Sequence, residues 1–173
     1  EDYNQVQTII SIDDGYVIGL NNGVMIKTNI AGALDWKKEL STEGAMVDVI
    51  ELEDGSLVAT GGFGSGSEPS FGMIKRNSGG TEIWSEMITV NTFSSGEGRA
   101  VVNSVNDNLV VVGYVNPDNS SAIELFVKYD MNGNEITRSV IDICSFKSYS
   151  LYKESDTGFL VVGTSSCSGG TSK

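Results

Sequence analysis

The stretch KTNIAGALDW occupies residues 27–36, and two more stretches of the same form follow it, KRNSGGTEIW at 75–84 and KYDMNGNEIT at 128–137. In each, a lysine is followed two residues later by asparagine or aspartate, and three residues after that by glycine. An Asn or Asp side chain can cap a turn through its own backbone, and glycine accepts the positive φ that a tight turn needs. The spacing therefore predicts three hairpins, two of which continue into a strand with a tryptophan.

A second repeated pattern lies before each hairpin and consists of a short apolar run that follows a turn signal. Four such runs, rich in β-branched residues, occur at residues 16–18, 57–59, 109–112 and 159–162. Acidic, asparagine or glycine residues stand before each run and a glycine stands soon after it, at Gly19, Gly61, Gly113 and Gly163. The runs predict strands that are buried on both faces and that begin after tight turns.

Together the two patterns predict an all-β chain built from a repeated four-stranded antiparallel unit. The turn residues Asn29, Asn77 and Asp130 are 48 and 53 residues apart, and no window shows helical periodicity. The predicted units cover residues 5–40, 45–88 and 97–141, with a half unit at 144–166, in one domain that spans 1–173. A period near fifty residues made only of strands is typical of radially repeated sheets. We expect Trp36 and Trp84 to lie between neighbouring units, because they occupy a repeated position.

The pattern K-x-[ND]-x-x-G-x-x-x-W, with a turn and an apolar run upstream, resembles the repeats of secreted and lipoprotein-type bacterial β-propellers over essentially the whole chain. A more distant similarity is to quinoprotein-like propellers, whose repeats also place a tryptophan four residues after a glycine. The resemblance implies a β-propeller of four-stranded blades and an extracellular or cell-surface location in a bacterium. It implies no enzymatic activity.

The number of blades raises a question of assembly. Three blades are complete, and the fourth supplies only two strands before the polar sequence SSCSGGTSK. Three and a half blades leave apolar faces and strand edges uncovered. We therefore expect either a homodimer that completes a seven-bladed ring or a continuation in a longer chain. The first residue is not methionine and no leader sequence follows it, so we expect a mature or excised form without its targeting signal.

Composition narrows the classes of function. A net charge of −12 repels phosphate backbones and anionic lipids, so nucleic acid is not expected as a partner. No apolar stretch approaches the roughly 20 residues that span a bilayer, so no membrane insertion is expected. The chain has no histidine, which removes the usual general base of nucleophilic sites and the commonest zinc ligand. No cofactor or metal site is predicted.

The predicted function is a non-enzymatic binding or interaction module that presents variable loops on one rim to a protein, peptide or glycan. Loop length departs from the repeat at residues 62–70, 90–98 and 116–121, on the rim opposite the tight turns. Aromatic and charged residues on or beside these loops suit a polar partner. They form the predicted site: Phe63, Glu68, Phe71, Phe93, Glu97, Arg99, Asp118 and Phe146. We expect at least two of the phenylalanines on one exposed face with a carboxylate between them; the alternative is that they fold inward to cover the blade ends.

Two other classes of function remain open. A carbohydrate-active enzyme would use carboxylates around a central channel, and Asp48 and Glu97 are the candidates. Such an enzyme needs two carboxyl groups within about 5–10 Å of each other. A structural spacer completed by a second chain would need no site.

The two cysteines lie on either side of the last predicted hairpin. Cys144 begins its first strand and Cys167 ends its second, so antiparallel pairing brings them opposite each other or within one or two residues of that position. We predict a disulfide between them, formed in an oxidising compartment.

Overall fold

The computed structural model of the chain describes residues 4–40, 43–64, 70–88, 93–104, 107–117, 122–142, 146–155 and 158–166. Across these ranges the chain forms fourteen strands and no helix. The strands fall into four antiparallel sheets that follow one another along the chain, and we call these sheets units 1 to 4.

In units 1 to 3 each of four strands pairs with the next, whereas unit 4 has two strands. Unit 1 contains β1 (Val6–Ile12), β2 (Gly15–Leu20), β3 (Val24–Asn29) and β4 (Leu34–Glu39). Unit 2 contains β5 (Gly44–Glu51), β6 (Leu57–Phe63), β7 (Ser70–Arg76) and β8 (Glu82–Met87). Unit 3 contains β9 (Phe93–Ser104), β10 (Asn108–Pro117), β11 (Ile123–Asp130) and β12 (Glu135–Val140). Unit 4 contains β13 (Lys147–Lys153) and β14 (Phe159–Thr164). The prediction of an all-β chain of repeated four-stranded antiparallel sheets is confirmed.

The turn between the third and fourth strands is built in the same way in units 1 to 3. In unit 1 the side-chain oxygen of Asn29 accepts two backbone N–H groups of the turn, both at 3.0 Å. In unit 3 the carboxylate of Asp130 does the same, at 2.9 Å. The three turn glycines all have positive φ, of 80°, 79° and 86° for Gly32, Gly80 and Gly133. This backbone conformation explains why glycine recurs at that position.

The lysine before each turn links the interior of a unit to its first hairpin. The Lys27 side chain is buried, and its Nζ lies 2.7 Å from Oδ2 of Asp14. Lys75 is also buried and its Nζ lies 4.0 Å from Oδ2 of Asp54. The repeated lysine and the acidic turn are therefore two ends of one ion pair in units 1 and 2.

Consecutive units pack face to face, and their cores lie between them. Between units 2 and 3, Val58, Val111 and Val127 are fully buried. A second core lies between units 1 and 2, and a third between units 3 and 4.

Burial of the apolar runs depends on the position of the unit. The runs in β6 and β10 are buried on both faces, as predicted. The same prediction is wrong for β2 and β14, where Tyr16, Leu160 and Val162 are 37%, 54% and 51% exposed. In the described part of the chain, units 1 and 4 each have a neighbouring unit on one face, and the other face carries these exposed side chains.

Each tryptophan contacts the unit that follows its own. Nε1 of Trp36 donates a hydrogen bond to the Ser78 carbonyl at 3.0 Å, and Nε1 of Trp84 donates to the Met131 carbonyl at 2.9 Å. Both indole rings are half-buried. The expected position of the tryptophans between units is confirmed.

Candidate functional site

The first strand of every unit contains a β-bulge at the same position. In β1 the pairing steps from Val6 to Thr8, so one extra residue is inserted, and β5, β9 and β13 show the same irregularity. A bulge turns the inserted side chain away from the regular sheet face. The inserted residues are Gln7, Val47, Arg99 and Tyr149.

These four residues line a common cavity of about 370 Å³. The residue that follows each of them also lines it, so all four first strands contribute. A mixed set of polar and apolar groups therefore surrounds the cavity, namely Gln7, Thr8, Val47, Asp48, Arg99, Ala100, Tyr149 and Ser150.

Asp48 joins two units at this cavity. Its Oδ1 accepts the backbone N–H of Val49 at 2.9 Å, and its Oδ2 accepts the N–H of Val101 in unit 3 at 2.9 Å. Burial raises the pKa of Asp48, while these two hydrogen bonds act in the opposite direction. Both carboxylate oxygens are thus engaged in holding β9 against β5.

Glu97 and Arg99 form an ion pair between the cavity and the neighbouring rim. Oε2 of Glu97 lies 3.3 Å from an Arg99 guanidinium nitrogen. The guanidinium also lies over the ring of Tyr114, with its carbon 5.1 Å from the ring centroid. Burial raises the pKa of Tyr114, and the Glu97 charge adds to that effect. The arginine is therefore fixed from two sides.

Glu97 also lines a larger cleft on one rim of the molecule. We call this edge the loop rim; it carries the β2–β3 turn at Asn21 and Asn22 and the start of the β6–β7 loop at Gly64. The cleft has a volume of about 530 Å³, and chain from units 1, 2 and 3 meets there. Its lining combines four polar side chains, two of them carboxylates, with four small residues: Asn21, Asn22, Glu43, Gly44, Ala45, Gly62, Gly64 and Glu97.

Two phenylalanines of the predicted site, Phe63 and Phe71, are buried rather than exposed on the loop rim. They are 2% and 0% exposed, so both follow the alternative in which the rings fold inward. Phe71 fills space above Gly98 and Gly113, where an added Cβ would lie 2.8 and 2.9 Å from its ring. Phe63 packs in the same way against Gly72. Glycines in the neighbouring strands leave hollows, and these aromatic rings fill them.

The other predicted residues have different outcomes. Glu97 and Arg99 lie together, whereas Phe146 is half-buried and its ring lies against Gly163. Phe93 begins β9, but its side chain lies outside the described part. The remaining predicted residues fall outside the described ranges: Glu68, Asp118, Cys144 and Cys167. The disulfide between the two cysteines therefore stays a prediction.

Sequence reasoning missed three of the four bulge residues, Gln7, Val47 and Tyr149, and the position of Glu43 at the cleft. A signal for the bulges was present, since Gly61, Gly113 and Gly163 each pair with the residue directly before an insertion. An added Cβ on Gly61 would lie 1.9 Å from the Ala45 carbonyl oxygen. The glycine after each apolar run thus marks a close approach of two backbones in units 2 to 4, and it points to the bulge opposite.

No known family model matches the chain, and no curated protein is significantly similar to it. Among the described residues no helix is long and apolar enough to cross a membrane. The same part of the chain holds no group of three or more Asp, Glu, Cys or His side chains placed to bind a metal ion.

Proposed function

We propose that this chain is an open section of a β-propeller and acts as a non-enzymatic binding module. The propeller arrangement is supported by the first strands of all four units around one cavity and by the repeated contact of a tryptophan with the next unit. The observation that carries the binding role is the open cleft on the loop rim, where three units meet and two carboxylates lie among small residues. Loops at such a position can vary without disturbing the cores.

The chemistry of the cleft favours a partner that donates hydrogen bonds and carries positive charge. Glu43 and Glu97 supply carboxylates, and the glycines expose backbone groups to an incoming chain. The net charge of −12 attracts cations to the whole surface. We therefore propose a protein or peptide segment with lysine or arginine as the partner, and a glycan as the alternative that the test separates.

A binding role fits the two channel carboxylates better than catalysis does. Asp48 is engaged with two backbone N–H groups, and Glu97 is paired with Arg99. A glycosidase needs one carboxyl group that can donate a proton and a second that can act on the sugar. Both carboxyl groups are engaged in contacts within the chain, which favours a structural role for them over catalysis.

An extracellular or cell-surface location remains part of this proposal, and it rests on the resemblance to secreted propeller repeats.

The position of unit 4 bears on how the chain assembles. β13 packs beside β9 and lines the cavity, so unit 4 supplies an inner pair of strands. Two copies would each supply such a pair at the same radial position, and two inner pairs do not merge into one blade. Of the two expected assemblies, we therefore propose a continuation in a longer chain rather than a seven-bladed ring made from two copies.

The binding role is tested with an array of twelve-residue peptides that contain lysine or arginine, the same peptides with acetylated lysine, and a glycan array. We expect the basic peptides to bind and acetylation to weaken binding. We expect Glu43→Gln to weaken it about tenfold, because a charge-assisted contact is lost.

Glu53→Gln is the matched control, since it removes the same charge from an exposed turn on the opposite rim. It should leave peptide affinity nearly unchanged. Equal losses from both variants would show that net charge alone attracts the peptides. Preferential binding of glycans, unaffected by Glu43→Gln, would reject the proposed partner class.

A further inference from the structure

The turn between the third and fourth strands of a unit also accepts a hydrogen bond from the preceding unit. In unit 2 the Ser78 carbonyl accepts a hydrogen bond from the indole N–H of Trp36. In unit 3 the Met131 carbonyl accepts one from the indole N–H of Trp84. The turn glycine lies beside the ring in both cases. An added Cβ on Gly80 or Gly133 would lie 3.0 Å from an indole carbon.

The matching turn of unit 1 has the same shape but is uncovered. Its glycine, Gly32, has the same φ as its counterparts, and no described atom lies within 4 Å of the position of an added Cβ. Ile30 stands where Ser78 and Met131 stand in the other turns, and it is 77% exposed. Unit 1 thus presents an indole acceptor to which no described group is bound.

The sheet face beside this turn is apolar. Ile9, Ile18 and Ile26 stand directly opposite one another on three neighbouring strands, and Ile9 is 59% exposed. The corresponding residues of unit 3 are Val101, Val111 and Val127, which unit 2 covers to 1% exposure or less. Leu34, also 64% exposed, lies at the outer end of the same unit.

We propose that the Ile30–Gly32 turn and the Ile9, Ile18 and Ile26 face form a docking surface for one more blade of this repeat, with a tryptophan in its fourth strand. The indole N–H donates to the Ile30 carbonyl and the ring lies over Gly32. The occupant is identified by the two interfaces inside the chain, where units 1 and 2 dock on their successors in this way. This surface is separate from the loop-rim cleft and does not depend on its proposed role.

A second copy of this chain fits the surface less well. Its uncovered face at the other end belongs to unit 4, where Tyr152 and Leu160 are exposed. Unit 4 consists of two strands in the described part of the chain, so it brings no tryptophan to the Ile30 carbonyl. Trp36 and Trp84 are already bound to their own neighbours.

The test uses a peptide with the sequence of residues 70–88, which is the β7–β8 hairpin with Trp84. It is cyclised because an isolated hairpin is only marginally stable. The peptide is titrated into the ¹⁵N-labelled full chain and followed by NMR. We expect saturable shifts at residues 30–33 and at Ile9, Ile18 and Ile26, and much smaller shifts at the occupied turns 77–81 and 130–134.

Two controls separate specific docking from nonspecific binding of the peptide. A peptide with Trp84→Phe should bind at least about fivefold more weakly, since phenylalanine lacks the N–H donor. Gly32→Asn in the full chain should weaken binding of the original peptide to a similar extent. Asparagine tolerates a positive φ, but its side chain occupies the space that the indole ring would fill. The Gly32→Asn chain should keep its affinity for basic peptides at the loop rim.

Absence of saturable shifts at residues 30–33 up to the solubility limit of the peptide would overturn the proposal. Equal affinity of the tryptophan and phenylalanine peptides would do the same. Concentration-dependent self-association of the chain, with shifts at Ile9, Ile18 and Ile26 but none at Gly32, would identify a second copy as the occupant and also overturn it.

Discussion

Glu124 is a carboxylate buried between units 3 and 4. It is 3% exposed, and its Oε2 accepts a hydrogen bond of 2.6 Å from the Ser148 hydroxyl. Burial raises the pKa of Glu124 above its ordinary value of 4.5, although the Ser148 contacts act in the opposite direction. The charged form is therefore the less favourable one in the folded chain.

This raised pKa predicts how stability depends on pH. As the pH rises above about 4.5, the unfolded chain loses the proton from Glu124 first, so the contribution of Glu124 to the free energy of unfolding falls until its folded pKa is passed. Glu124→Gln cannot ionise and keeps an acceptor for Ser148. We expect the variant to gain stability relative to the natural chain between about pH 4 and 7, measured by urea unfolding.

Glu53→Gln provides the control, because it removes one negative charge from an exposed position and measures the effect of net charge alone. A difference between the natural chain and Glu124→Gln that stays constant over this pH range would contradict the role assigned to burial.

At the scale of the strand, the bulges explain both the cavity and the repeated glycines. Each bulge turns one residue of a first strand toward the cavity, and it brings the strand backbone close to its partner. Gly61 meets the Ala45 carbonyl in this way. A single local irregularity, repeated in each unit, therefore shapes the inner wall of the molecule.

The glycine opposite a bulge should tolerate no side chain. In Gly61→Ala the new methyl group would lie 1.9 Å from a carbonyl oxygen, so β5 and β6 must separate locally. We expect a loss of about 3 kcal/mol or more in the free energy of unfolding, or failure to fold, as judged by urea unfolding and soluble yield.

Gly79→Ala in the same unit is the matched variant. Its added Cβ would be 3.4 Å from the nearest atom, the Asn77 side-chain oxygen, and its φ is not in the positive range. A change within about 0.5 kcal/mol is expected. Similar costs for the two variants would contradict the account of the close backbone approach.

At the scale of the whole molecule, the four units are not equivalent, because position decides how many faces are covered. Among the described residues, unit 2 packs extensively against units 1 and 3, whereas the extensive contacts of unit 4 are with unit 3. Val58 in unit 2 is fully buried, while Val162 in unit 4 is 51% exposed. Stability should therefore decrease from the middle of the chain toward unit 4.

Amide hydrogen exchange tests this gradient. Backbone amides of β6 should exchange at least about 100-fold more slowly than those of β14, because opening β6 disrupts two cores and opening β14 disrupts one. Amides of β2 in unit 1 serve as an intermediate reference. Uniform protection of β2, β6 and β14 would show that the units unfold as one cooperative block and would reject the gradient.

The residues that repeat were predictable from the sequence because their roles are local. Asn29 and Gly32 form a turn from their own backbone, and alternating turns and apolar runs lead to antiparallel pairing of neighbours. The position of Trp36 between units also followed from its recurrence. These features gave the all-β class and the four-stranded units.

The burial of single side chains depended on packing between units. Phe63 and Phe71 were expected near an exposed loop, yet both fill hollows above glycines, and Phe71 lies over glycines of a neighbouring unit. No local pattern records which glycine will face which ring across a unit boundary. The same holds for Asp48, whose carboxylate binds a backbone N–H 53 residues further along the chain.

The sequence by itself thus determined the strands, the turns and their repetition, because those depend on residues close together in the chain. Only the tertiary structure decided what lies at the boundaries between units: the shared cavity of the bulge residues, the cleft of Glu43 and Glu97, and the uncovered turn at Gly32. Such features arise where distant segments meet, and their geometry is set by the packing of whole sheets.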